Sequence, residues 1–223
     1  MSKPARKRKL PMLLAATVAC GSIVVSSALA NHDNGAVDHY RAQLNPVPHA
    51  PSADGGSNVT GTAKLMVRDE NRLRVNLKAS GLTPGLPHAM HIHGEDAAEE
   101  LASCPGADRR DDLVDDGLIE TVEGLEDYGP IQVSFTTRGD TSPDSGLALE
   151  RFVTANANGV VHYKRTFRIP QRFADRLDEL HIVVHGADLD EDGAYGGRTT
   201  ALGAPLEAEL PVACGEIAAT HSG

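Results

Sequence analysis

The chain has 223 residues, with 31 Asp and Glu against 21 Lys and Arg and a net charge of −10. That length suits one domain with an added segment and is enough for a sizeable core. The acidic balance disfavours nucleic acid and anionic lipid as partners, because a like-charged surface repels both.

The first thirty residues read as an export signal. Lys3, Arg6, Lys7, Arg8 and Lys9 precede an apolar stretch from Leu10 to about Val25, and Ala28-Leu29-Ala30 supplies the small residues of a cleavage site. The apolar run is short for a span of ~20 residues, so no membrane span is expected after cleavage. The mature chain is expected to begin near Asn31 and to work secreted or in the cell envelope. Residues 1–30 hold five basic residues and no acid, so cleavage takes the net charge to −15. Residues 31–57 contain Pro46, Pro48, Pro51, Gly55 and Gly56 and read as a flexible tail or linker. His32, His39 and His49 then read as solvated tail histidines.

From residue 58 to 223 the pattern is that of a β domain. Thr60 to Arg68 predicts a strand, and Leu73, Val75 and Leu77 alternate with Arg72, Arg74, Asn76 and Lys78 as in a half-buried strand. Further strands are predicted at Ala89 to His93, Ile131 to Thr137, Arg151 to Ala155, Val160 to Ile169, His181 to His185 and Leu210 to Ile217. Asn156-Ala157-Asn158-Gly159 predicts a hairpin turn, and Pro170 to Leu180 one or two helical turns. The fold class expected is all-β, an antiparallel barrel or sandwich of about eight strands with long loops.

Only Cys104 and Cys214 follow the signal. Two cysteines in an exported chain most often form one disulfide, and the alternative is a pair of buried free thiols. His91-Ile92-His93 places two imidazoles on one face of a strand, with Met90 and Ile92 on the core face. Their Cα atoms, about 6.5–7 Å apart, let both rings reach one ion. In His181-Ile182-Val183-Val184-His185 the same alternation turns His185 outward, which makes a three-nitrogen site for copper or zinc. His181 shares that face but lies ~13 Å along the strand from His185, too far for the same ion.

With these landmarks in order, the sequence resembles the copper/zinc superoxide dismutases over about residues 58–218. The resemblance rests on His91-Ile92-His93-Gly94, Cys104-Pro105-Gly106, Val183-Val184-His185-Gly186-Ala187-Asp188 and Ala213-Cys214-Gly215-Glu216-Ile217. It implies a Greek-key β-barrel, copper ligands at His91, His93 and His185, and a disulfide between Cys104 and Cys214. It also places residues 193–203 in the family's electrostatic loop. The chain departs from the family where a bridging histidine is expected, since Arg110 stands there. No histidine occurs between His93 and His162, so the family's zinc ligands are absent and zinc is not expected. Pro211 stands in place of the arginine that guides superoxide. The chain is similar also to chordin-type (CHRD) domains, exported β-sandwiches with His-x-His strands.

Two acidic segments resemble calcium loops. Asp112, Asp116 and Glu123 fall at positions one, five and twelve of the first, with Val114 at position three. Asp188, Asp190 and Asp192 open the second, which has Thr199 where the closing carboxylate belongs. The expected function is an exported copper-binding protein with weak superoxide dismutation, with superoxide or the metal ion as its partner. The alternative is a non-catalytic, calcium-stabilised interaction module with a protein partner.

Overall fold

Strict alternation of apolar and polar side chains builds the sheet. In a computed structural model that describes residues 37–51, 58–96, 102–110 and 113–220, eight strands and three short helices follow one another. They are β1 Asp38–Pro46, β2 Thr60–Arg68, β3 Arg72–Ser80, β4 Met90–His93, α1 Thr121–Tyr128, β5 Ile131–Ser134, β6 Val160–Arg168, α2 Gln171–Ala174, β7 His181–His185, α3 Leu206–Glu209 and β8 Pro211–Ala219. The expected signal, residues 1–30, lies outside the described residues, as does Asp112.

The strands form one curled sheet in the order β5-β4-β7-β8-β1-β2-β3-β6, antiparallel at every pairing. This is the all-β barrel class expected. Leu44, Leu65, Leu73, Leu77, Met90, Ile92 and Ile182 line its inner face as one core. Across the seam, side chains join the edge strand β6 to the two residues that follow β5. Tyr163 Oη donates to the Thr136 carbonyl at 3.1 Å, Arg165 Nη1 donates to the same oxygen at 2.7 Å, and Phe135 stacks on Tyr163 with centroids 5.3 Å apart.

Three expectations are corrected. Residues 38–46 are not tail: they form β1, which pairs with β2 on one side and β8 on the other and so joins the two halves of the sheet. Tyr40, Ala42 and Leu44 turn inward while His39, Arg41, Gln43 and Asn45 stay exposed, an alternation obscured by the prolines that follow. His49 is buried as well; its Nε2 donates to the Pro211 carbonyl at 2.8 Å, and its Nδ1 accepts the Ile119 N–H at 2.9 Å. Residues 151–155 are not a strand but a 3-10 turn followed by a single bridge, Thr154 to Pro87. The turn at Asn156 forms as predicted, its side-chain oxygen accepting from the N–H groups of Asn158 and Val160.

Cys104 and Cys214 are disulfide-bonded, with Cα atoms 5.7 Å apart, so the loop after residue 102 is fastened to β8. The bond closes a loop of 110 residues. In the chain-entropy account such a loop contributes about 4–5 kcal/mol. Cys104→Ser with Cys214→Ser is expected to lower unfolding free energy by an amount of that order in urea titrations. An unchanged midpoint would show that the bond constrains nothing.

Candidate metal centre

His91 and His93 share one face of β4, and the in-register pairing of β4 with β7 sets Val183 and His181 beside them. His185 ends β7 at an irregularity in its pairing with β8, which lies between Val184 and His185. The result is that one nitrogen from each of His91, His93 and His185 lies within 4.8 Å of the other two. The histidines do not project into solvent, as alternation alone suggested. All three are at least 97 % buried and look into a cavity, while Met90 and Ile92 join the core on the other face.

Each imidazole is held by a backbone carbonyl through one nitrogen. His91 Nε2 donates to Gly146 at 3.1 Å, His93 Nδ1 to Gly129 at 2.8 Å and His185 Nδ1 to Glu209 at 2.6 Å. A carbonyl only accepts, so each of these nitrogens carries the proton and the tautomer is set. The remaining atoms, His91 Nδ1, His93 Nε2 and His185 Nε2, have no hydrogen-bond partner. Buried polar atoms are rarely left so, and three converging lone pairs are the donor set of a metal ion. Burial keeps the rings neutral. It holds His91 well below the ordinary imidazole range, His93 at about 3 and His185 at about 4, with the neighbouring histidines adding to the shift in the first two.

The surroundings explain the pinning. Tyr128, at the end of α1, sets its ring edge against His93 with centroids 4.8 Å apart, and Phe152 meets His91 at 5.4 Å. Gly129 caps α1 at φ 74°, and a Cβ there would come within 2.8 Å of the Gly94 backbone. Only glycine therefore lets its carbonyl reach His93. The Glu209 side chain is buried too, accepting from Thr200 Oγ1 and the Ala204 N–H, which fixes the carbonyl that holds His185.

The cavity above the histidines has a volume of about 330 Å³ and its walls include Val122, Ile131 and Pro143. Leu125, Leu147 and Leu202 also line it, and they are 40, 44 and 46 % exposed. No Lys or Arg is among the described residues that line it. Arg110 is turned away, its Nε donating to the Pro48 carbonyl, and Pro211 offers only the carbonyl that His49 uses. A larger cleft of about 740 Å³ lies beside the disulfide, but it holds none of the three histidines.

Two other histidines stand apart from the cluster. His181 is buried with neither ring nitrogen partnered and is not gathered with the three, in agreement with the distance argument. His88 is structural, bonded to the Thr83 and His185 carbonyls. The acidic loops separate in character. Glu123 is the buried N3 residue of a capping box on α1, and its oxygens accept from the N–H groups of Leu113, Val114 and Glu120. Asp116 accepts from the Leu118 N–H, and the two acids are not gathered into a metal-sized group. Asp188 and Asp190 do approach one another, with Glu207 as the third carboxylate and not Asp192 or Thr199. Glu207 already accepts from the Leu189 and Gly196 N–H groups.

Compared with known proteins, the chain matches no family model and no curated sequence.

Proposed function

We propose that this domain binds copper through His91, His93 and His185, within a divergent, zinc-less barrel of the superoxide dismutase type. The observation that carries the reading is the set of three unpartnered, neutral imidazole nitrogens within 4.8 Å of one another. Copper(II) binds a given nitrogen site more tightly than the other divalent first-row metals. Bound copper would bring one-electron redox chemistry to the cavity. The protein's part is to hold three rings in set tautomers and to keep water from their other faces.

Calorimetric titration tests the site. Each of His91→Ala, His93→Ala and His185→Ala is expected to lose copper affinity by on the order of 100-fold or more, beyond what loss of a supporting hydrogen bond costs. His181→Ala is expected to bind as the wild type does. Undiminished affinity in all three ligand variants would remove the site.

A mouth with no Lys or Arg among its described lining residues favours a second reading, in which the domain is a non-catalytic interaction module similar to CHRD domains and turns over no anion. In that reading calcium at Asp188 and Asp190 would steady the loop, and a melting temperature unmoved by calcium chloride would remove that role.

A further inference from the structure

Net charge hides a local excess, because eight of the 21 Lys and Arg are gathered on one face. On β1, β2, β3 and β6 the inward side chains face the core, with Asp38 and Arg165 half-buried at its margin, and most of the outward ones are exposed. The outward positions carry eight Lys and Arg and no Asp or Glu, in a chain whose acids outnumber its bases. Strand pairing arranges them in rows. Arg68, Arg72 and Arg168 are direct cross-strand neighbours at one end of the sheet. Arg41 and Lys64 face each other in another row, which continues through Asn76 to Lys164. Arg74 and Lys78 stand in the rows on either side of that one. Strands ~4.8 Å apart and alternate residues ~6.8 Å apart make this a lattice of positive charge.

Like charges directly opposite one another weaken a sheet pair. Among the described residues, one ion pair relieves them, Arg72 to Asp69 at 3.6 Å in the β2–β3 turn. The adjoining strand β8 carries a single exposed acid, Glu216, which marks the edge of the face. A lattice with so little internal neutralisation is complementary to an anionic polymer, which would release its counterions on contact.

We propose that this face binds a linear anionic polysaccharide, with its carboxylate or sulfate groups laid along the rows. Gln43, Thr62, Asn76 and Thr166 stand outward between the cations and suit sugar hydroxyls. No Phe, Tyr or Trp is outward on these strands, so the face lacks the large aromatic platforms on which successive bases stack. Met66 and Val160 are the apolar side chains on the outward positions, too little to enter a bilayer. The curled sheet also presents a convex surface, which a flexible chain can follow and a flat membrane meets along a strip.

The test is binding of dextran sulfate to the full chain across a series of salt concentrations, with uncharged dextran as the blank. The combined variant Arg41→Gln, Lys64→Gln, Arg74→Gln and Lys164→Gln changes only exposed positions, and circular dichroism verifies its fold. Wild type is expected to bind dextran sulfate and not dextran, with affinity falling steeply with salt; the variant should bind at least tenfold more weakly, with a flatter salt dependence. Equal binding by the folded variant would overturn the proposal. Tighter binding to oligothymidylate or to vesicles of anionic lipid would also overturn it, as would salt-sensitive self-association that occupies the face.

Discussion

Acidification to about pH 5 is expected to unfold the metal-free protein, although its carboxylates are still largely ionised there. The cause is histidine burial. His91, His93 and His185 are held far below the ordinary imidazole value, and His49, His88 and His181 are shifted down as well, each with burial as the leading cause. These histidines take up protons in the unfolded chain as pH falls through about 6.5, while in the folded chain His185 and His93 do so only near 4 and 3. The unfolded state thus binds more protons throughout that window, so stability falls as pH falls. By pH 5 each fully buried histidine costs about 2 kcal/mol. The three in the cavity together reach about 6 kcal/mol, within the whole stability of an ordinary domain. Glu120 and Glu209, raised by burial, act in the opposite sense but are fewer. Thermal melts at a series of pH values check this. A melting temperature that stays level between about pH 7 and pH 5 would show that the rings are not held neutral. Added copper should move the acid transition lower, since only the folded state presents the assembled site.

The copper-loaded protein is expected to consume superoxide at least a thousandfold below the diffusional ceiling of ~10⁸–10⁹ M⁻¹ s⁻¹. An anion reaching the cavity passes Leu125, Leu147 and Leu202 and meets no guanidinium or ammonium among the described lining residues. Arg110 is committed to the Pro48 carbonyl, and Pro211 at the start of β8 carries no charge. The net charge of −10 adds a repulsion that electrolyte screens, so the residual rate should rise with ionic strength. Pulse radiolysis at low and high salt measures both. A rate near the ceiling that falls with salt would show that some other cation steers the anion in.

The parts of the fold that rest on local alternation were legible. β2, β3 and β6 form where the period-two pattern lies, and the parity of His91 and His93 brought them together. What stayed hidden depends on distant partners. The carbonyls that set the three tautomers lie 55, 36 and 24 residues away along the chain, and nothing local distinguishes Gly146, Gly129 or Glu209. β1 was masked because Pro46, Pro48 and Pro51 follow directly on an alternating run. α1 was masked by its own cap: a Glu120-x-x-Glu123 box with flanking aspartates has the composition of a calcium loop, and Gly124 inside the helix lowers its propensity. The burial of His49 had no local signal either, since Val47 and His49 share the parity of the exposed residues of β1.

The position of β1 decides when the molecule can acquire its shape. Its pairing with β8 sets Tyr40 opposite Ala219, so among the described residues the first strand is held by the last. A chain emerging N-terminus first can form the β1–β2–β3 meander, but the two halves of the sheet join only once β8 is made. Contacts of such sequence separation are slow to form, because loop closure precedes any gain from them. Until residues 181–185 are made, the histidines of β4 have no β7 beside them, so the three-imidazole cluster is also assembled late.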